Sequence, residues 1–191
     1  MKKAIVQIAC LFLCVSGAAH ADRARARSQG FLRGHSLMFG LDSEIGVPLG
    51  NYADASSVGG GVALTGELTM LETLSATMRV GVQLHTDREI GAASSHVHAI
   101  PILFGAKYYL ASQREGIFGT FEAGLFDLIS SVTPAGGASN SSNDLRFGLG
   151  AGLGFQQDRW NVRMSIHTQD VGNFGNAFMM TGGIGYEFAG L

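Results

Sequence analysis

The feature that most constrains this chain is a strict alternation of apolar and polar side chains between residues 159 and 169. The two alternating sets are Trp160, Val162, Met164 and Ile166 against Asn161, Arg163, Ser165 and His167. Since successive side chains of a β-strand point to opposite faces, this pattern predicts a strand with one apolar face. The pattern recurs, so we predict an all-β chain with eight strands near residues 35–47, 59–71, 74–86, 97–110, 116–128, 144–157, 159–169 and 176–189.

The lengths of these strands and of their connections favour a membrane. Each strand has about eleven to fourteen residues, enough to cross a bilayer when tilted by about 45°, whereas strands of soluble proteins average about five or six. Long connections alternate with short ones, the long ones being 48–58, 87–96, 129–143 and 170–175, and the short ones 72–73, 111–115 and 157–158. Transmembrane barrels sort their loops in this way, and an even number of strands lets the last pair with the first. We therefore predict an eight-stranded antiparallel up-and-down transmembrane β-barrel.

The first residues have the composition of a secretory signal peptide. Lys2 and Lys3 precede an apolar stretch over residues 5–15, and Ala19-His20-Ala21 fits the small-x-small cleavage rule. That stretch is about 11 residues long, whereas a membrane-spanning helix needs about 20. We predict a cleaved signal over residues 1–21, a short periplasmic tail over 22–34 and the barrel over 35–191.

Composition excludes several function classes. Both cysteines, Cys10 and Cys14, lie inside the predicted signal, so the mature chain has no thiol for a disulfide or a zinc–thiolate site. The formal net charge is -2, which leaves no large basic surface for nucleic acid.

Charged residues of the predicted strands fall on the face opposite the apolar one, which would be the lumen of a membrane barrel. By parity these residues are Asp42, Glu44, Glu67, Arg79, Lys107, Glu122, Arg146, Arg163 and Glu187. An eight-stranded barrel is just wide enough for side chains to fill, and isolated charges there are costly. We therefore predict a packed network of salt bridges, with a narrow conductance pathway or a ligand pocket as alternatives.

Two polar groups invite a chemical interpretation. Ser165 and His167 share a face, as a nucleophile and its base would, but parity turns both inward and no carboxylate is paired with the histidine by local spacing. His85, His96 and His98 flank the second long connection together with Asp87 and Glu89, a set that could hold zinc or copper, although parity splits the histidines between faces. We expect no catalytic residue, metal site or cofactor.

Two further features bear on the predicted strands. Gly148, Gly150, Gly152 and Gly154 lack the following helix that a nucleotide-binding loop needs, and are interpreted as a row of small lumenal residues. Pro101 lies inside the predicted fourth strand, where it removes a ladder hydrogen bond, so we expect a bulge or local break. The third long connection, 130–144, is rich in Gly, Ser and Asn and is predicted to be mobile.

Three segments resemble a known family. Val47-Pro48-Leu49-Gly50-Asn51-Tyr52 is similar to the first loop, residues 100–110 to the fourth strand, and Gly183-Ile184-Gly185-Tyr186-Glu187-Phe188 to the closing strand of the small eight-stranded outer-membrane barrels with an OmpA-like or OmpX-like fold. Such barrels often end on an aromatic residue, whereas here Ala189-Gly190-Leu191 follow Phe188, and no peptidoglycan-binding domain is expected.

This resemblance implies a location in the cell outer membrane. Its implied partners are outer-membrane lipids and lipopolysaccharide, with the barrel-insertion machinery during assembly, and the protein is expected to be a monomer. The function that follows is a non-enzymatic barrel with a largely plugged lumen and exposed loops, serving envelope structure or surface interaction. The alternatives are a narrow channel or carrier for small solutes and a lipid A-modifying enzyme.

Overall fold

The computed structural model describes residues 36–190, except 92, 112, 113, 135, 175 and 176. The predicted signal peptide (1–21) and tail (22–34) lie outside the described residues. The strands are β1 (Leu37–Pro48), β2 (Gly59–Thr69), β3 (Leu74–His85), β4 (Arg88–Ile90), β5 (Ala93–Tyr109), β6 (Gly116–Thr133), β7 (Asn140–Gln157), β8 (Trp160–Thr168) and β9 (Phe178–Gly190). A one-turn helix, α1 (Tyr52–Ala55), follows β1, and a 3-10 turn (Val171–Asn173) follows β8. None of the described helices has the length and apolar character to cross a bilayer.

Eight of these strands close into a barrel. Each pairs antiparallel with the next along the chain, and β1 pairs with β9, from Met38↔Gly190 to Pro48↔Met179. The short β4 lies within the connection from β3 to β5, so β3 pairs directly with β5 and the ring is complete. The predicted eight-stranded antiparallel barrel is confirmed. We call its two ends the short-turn end and the long-loop end.

The wall is apolar outside and polar inside. Ile45, Phe104 and Met164 are at least half exposed on the outer face, whereas the guanidinium of Arg79 is 2% exposed inside. A soluble barrel would bury the apolar side chains and expose the charged ones, because its apolar side chains must leave water. This inverted arrangement is the one that transmembrane barrels use against lipid.

The long-loop end differs from the prediction. β5 begins at residue 93 and β7 at residue 140, each four residues early, and β6 continues five residues further to 133. The connection expected to be mobile is therefore mostly a paired hairpin, with ladder pairs such as Ser130↔Ser142. Residues 140–143 are polar and exposed on both faces, so no alternation of apolar side chains marks this part as strand.

Pro101 interrupts one ladder without shifting the register of the strand. β5 continues through it in unbroken register with β6, where Pro101 pairs with Phe126. On the β3 side the ladder stops at Val80↔Ile102 and resumes at Gln83↔Ala99. Since proline has no N–H to donate, the expected local break occurs on one side only, and the expected bulge is absent at this residue.

The closed lumen as candidate functional site

Five charged side chains from four strands meet in the middle of the lumen. They form the central ionic cluster, which consists of Asp42 and Glu44 of β1, Arg79 of β3, Glu122 of β6 and Arg163 of β8. Arg163 joins two walls, with Nη2 2.9 Å from Asp42 Oδ2 and Nη1 3.2 Å from Glu122 Oε1. Arg79 is paired with Glu44 and lies 3.9 Å from Asp42 and 3.8 Å from Glu122.

The central ionic cluster leaves no carboxylate without a cation. Gln83 Nε2 also donates to Glu44 Oε1 over 2.6 Å, so each oxygen of Glu44 has its own donor. A buried charge is costly unless it is paired and hydrogen-bonded, and here the pairs run between strands that are distant in sequence. The cluster therefore ties opposite walls of the barrel together.

A second set of charges fills the lumen toward the short-turn end. The lower ionic cluster consists of Glu67 of β2, Lys107 of β5, Arg114 of the β5–β6 turn and Glu187 of β9. Glu67 is its centre, since its carboxylate oxygens lie 2.9 Å from Lys107 Nζ and 3.0 Å from Arg114 Nη2. Arg114 also reaches Glu187 Oε1 at 3.6 Å, and these carboxylates raise its pKa above the ordinary value although burial opposes this.

Neutral groups complete the lower ionic cluster. Tyr109 donates its hydroxyl to Glu67 Oε1 over 2.9 Å, and Lys107 donates to Gln156 Oε1 over the same distance. The ammonium of Lys107 also lies 4.3 Å from the ring centre of Phe118 and 4.9 Å from that of Tyr109, within the range of a cation–π contact. The lysine is thus held by a carboxylate, an amide and two rings.

Arg146 is a correction to the predicted lumenal network. Its side chain is 43% exposed and pairs with Asp144 of the same strand and, at 3.3 Å, with Asp170. Strand parity predicted that this side chain points into the lumen, but the β7–β8 ladder begins only at Leu149↔Thr168. Arg146 still pairs with β6, opposite Phe126, but among the described residues no strand continues the wall on the β8 side, so Arg146 lies on the rim. The other eight predicted residues lie in the two ionic clusters.

Arg114 was missed because strand parity cannot place it. It lies in a turn, with a φ of 58°, and its guanidinium enters the lumen from the short-turn end. One feature of the sequence indicates this position. Arg114 is a cation in a connection that is too short to extend far from the barrel. Only the pairing of the flanking strands shows that it faces Glu67 and Glu187.

Toward the long-loop end the lumen is filled by a mixture of apolar and polar side chains, the polar ones including His85, His167 and Thr181. Ala99, Leu103 and Phe126 form a buried cluster, and Met179 is fully buried. The predicted glycine row makes this filling possible, because a Cβ at each position would overlap an inward side chain. The overlapping groups are Phe126 for Gly148, His167 for Gly150, Ser165 for Gly152 and Phe118 for Gly154.

Ser165 and His167 both face this filled interior. Each is 2% exposed, and His167 Nε2 lies 3.2 Å from Thr181 Oγ1. Within the described part of the chain, Ser165 Oγ has no hydrogen-bond partner. A catalytic pair needs the nucleophile and base in contact and a substrate able to reach them. Here the two side chains lie inside the wall, on the side away from lipid.

The connection after β1 folds over the long-loop end. We call residues 52–56 the lid. The Tyr52 ring is 7% exposed and meets His85 edge-on, with ring centres 6.3 Å apart, and burial raises the pKa of its phenol. Ser95 of β5 donates its hydroxyl to Ala55 O over 2.8 Å, and Ser56 is buried. The lid is therefore anchored to both β3 and β5.

The three histidines near the second long connection are divided between the inner and outer faces of the wall, as their parity predicts. His85 is buried, whereas His96 and His98 are half-buried and stack with ring centres 4.4 Å apart. His96 Nδ1 lies 2.5 Å from Asp87 Oδ1, and His98 Nδ1 accepts the main-chain N–H of His85 over 3.2 Å. No group of three or more His, Cys, Asp or Glu among the described residues is arranged to hold a metal.

A small void of about 40 Å³ separates the two ionic clusters. Its lining includes Asp42, Arg163 and Lys107 together with hydroxyls such as that of Thr120. Pockets for small organic ligands measure about 300–1,000 Å³, whereas a void of this size suits ordered water.

Known proteins resemble this chain in structure only. No family model matches its sequence, and no curated protein matches it. Ail, the attachment invasion locus protein of Yersinia pestis, in complex with the heparin analogue sucrose octasulfate, aligns with a TM-score of 0.57 at 13% identity, covering 81% of this chain and 99% of Ail. A second structure of Ail aligns with a TM-score of 0.54 at 14% identity, covering 81% and 97%. The N-terminal β-barrel domain of Pseudomonas aeruginosa OprF aligns with a TM-score of 0.49 at 13% identity, covering 79% and 97%. The feature that this chain shares with Ail is the fold of the small eight-stranded outer-membrane barrels.

Proposed function

We propose that this small eight-stranded barrel is a non-enzymatic protein of the cell outer membrane, with a closed lumen and a long-loop end that meets the surroundings of the cell. Its role would be structural within the envelope or one of surface contact. In this proposal outer-membrane lipids, including lipopolysaccharide, surround a monomeric barrel after the insertion machinery has assembled it.

The filling of the lumen carries the proposal. Two ionic clusters occupy the middle and the short-turn end, apolar and polar side chains fill the next layer, and Tyr52 of the lid packs against His85. Such a body supports neither a ready path for solutes nor access to Ser165 and His167. The barrel would therefore serve the envelope through its stable body and through contacts made by its exposed ends.

The long-loop end is the surface that would make contacts. The β6–β7 hairpin projects there, and its residues 140–147 are exposed. Ail has been crystallised with a heparin analogue, but a polyanion needs a basic patch. The exposed charges at the long-loop end are mainly acidic, namely Asp54, Asp87, Glu89 and Asp144 against Arg88 and Arg146. We therefore propose neutral or basic partners rather than sulfated polysaccharide.

Lipid A mass spectrometry distinguishes this proposal from an enzyme. Cells that express the wild-type protein and cells that express His167→Ala should give identical lipid A masses. Heat-modifiable gel migration of the membrane fraction shows that both proteins are folded. A mass shift with the wild type that disappears in the variant would establish a lipid A-modifying enzyme instead.

Planar-bilayer recording tests the closed lumen. The wild-type barrel should give no steady conductance, because the two ionic clusters fill the cross-section. Arg114→Ala, which removes the cation at the short-turn end, is the variant most suited to open a path there. Steady wild-type conductance that changes with Arg79→Met would replace our proposal with the narrow channel.

A further inference from the structure

Buried polar atoms beneath the lid have no role in either ionic cluster. His85 is 5% exposed, and apart from the main chain of Val97 its ring nitrogens have no hydrogen-bond partner among the described residues. Gln169 is fully buried, and its Oε1 is likewise without a partner within the described part of the chain. Leaving such groups unsatisfied costs about 1–3 kcal/mol each, so these buried atoms call for a bound ligand.

A thioether lies at the same place. Met179 of β9 is fully buried, and Gln169 Nε2 lies 3.7 Å from its Sδ. A Cβ added to Gly46 of β1 would lie 3.0 Å from Met179 Sδ and 3.6 Å from His85 Nε2. The sulfur and the imidazole nitrogen therefore border one small space above the Gly46 backbone, which a larger residue would fill.

We propose that His85 Nε2 and Met179 Sδ bind a monovalent copper ion in this space, with the side-chain amide of Gln169 next to the sulfur. Thioether and imidazole together are soft ligands that select Cu(I), whereas the hard cations prefer carboxylate and carbonyl oxygens. Water would satisfy the imidazole but gains little from a thioether, which is only a weak acceptor. The flexible methionine side chain allows the sulfur to approach the nitrogen across the glycine.

The surroundings suit a single positive charge. The central ionic cluster below contains three acids and two arginines, so it carries one excess negative charge when all five are ionised. Tyr52 of the lid covers His85 from the long-loop end, and its ring shields the space from water. A buried, nearly dry site with few donors favours an ion that accepts low coordination.

Competition with a coloured chelator tests the site. The folded wild-type barrel in detergent, titrated without oxygen against the Cu(I)–bicinchoninate complex, should withdraw one Cu(I) per chain. Met179→Leu keeps the volume of the side chain but removes sulfur, and should weaken the affinity by more than about tenfold. His85→Phe, which keeps a ring against Tyr52, should have a similar effect. The matched control is Met164→Leu on the outer wall, which should bind as the wild type does.

X-ray absorption on the loaded protein provides the second measurement. The wild type should show one sulfur and one or more nitrogen or oxygen neighbours around copper, and the sulfur should vanish in any copper retained by Met179→Leu. The proposal is overturned if the folded wild type withdraws no Cu(I), or if Met179→Leu binds as tightly. It is also overturned if affinity falls with His96→Gln but not with His85→Phe.

Discussion

The central and lower ionic clusters fill the same lumen but distribute their charges differently. In the central cluster Arg79 is 2% exposed, is paired with Glu44, and lies near Asp42 and Glu122 as well, so one cation serves three acids. In the lower cluster Glu67 receives Lys107, Arg114 and the hydroxyl of Tyr109, so one acid has three donors.

This difference determines how the stability of each cluster responds to the loss of one cation. Loss of Arg79 leaves Glu44 with only the amide of Gln83 and weakens the environment of two further acids. Loss of Lys107 leaves Glu67 still bound by Arg114 and Tyr109. Removing one partner of a buried ion pair is costly chiefly because the other charge stays behind, so the central cluster should be the less tolerant.

The largest effect is expected for Arg79→Met. It should lower the free energy of unfolding by about 3–5 kcal/mol, because it strands buried carboxylates in the middle of the barrel. Urea unfolding in detergent, followed by the fluorescence of the single tryptophan Trp160, measures this. Adding Glu44→Gln to the same chain should recover part of the loss. A variant as stable as the wild type would show that Arg79 is not the centre of this cluster.

A smaller loss is expected for Lys107→Met. The methionine keeps the apolar contact with Phe118, and Glu67 keeps two donors, so the unfolding free energy should fall by about 1–3 kcal/mol. The same urea titration measures it, and Lys107→Met combined with Arg114→Ala should cost more than the two single changes together. A loss equal to that of Arg79→Met would remove the distinction between the clusters.

Arg146→Ala should have the smallest effect. Its guanidinium is exposed on the rim, where ion pairs with Asp144 and Asp170 are screened by water. We expect an unchanged midpoint in urea and an unchanged heat-modifiable gel shift. Destabilisation comparable to that of Lys107→Met would mean that the rim, rather than the lumen alone, holds the end of β7 in place.

The membrane-spanning strands could be predicted because contact with lipid imposes an alternation of apolar and polar side chains. Outward positions such as Phe104 and Met164 must be apolar, so alternation marks both the strand and its register, and Asp42 and Glu122 follow as inward by parity. Above the wall this constraint ends. Residues 130–133 and 140–143 meet water on both faces, and their pairing depends on main-chain hydrogen bonds that composition does not reveal.

The sequence by itself determined the class of fold, the number of barrel strands and the inner face of nearly every strand residue. A period of two separates the two faces, and the strand lengths and the sorting of the connections turn the apolar face toward lipid. Which inward residues meet was decided by the tertiary structure alone. Closure between β1 and β9 and the stagger of the strands bring Arg163 to Asp42, admit Arg114 from its turn and leave Arg146 on the rim. These contacts join residues far apart along the chain. Parity predicts the face on which a side chain lies but not its position along the barrel axis.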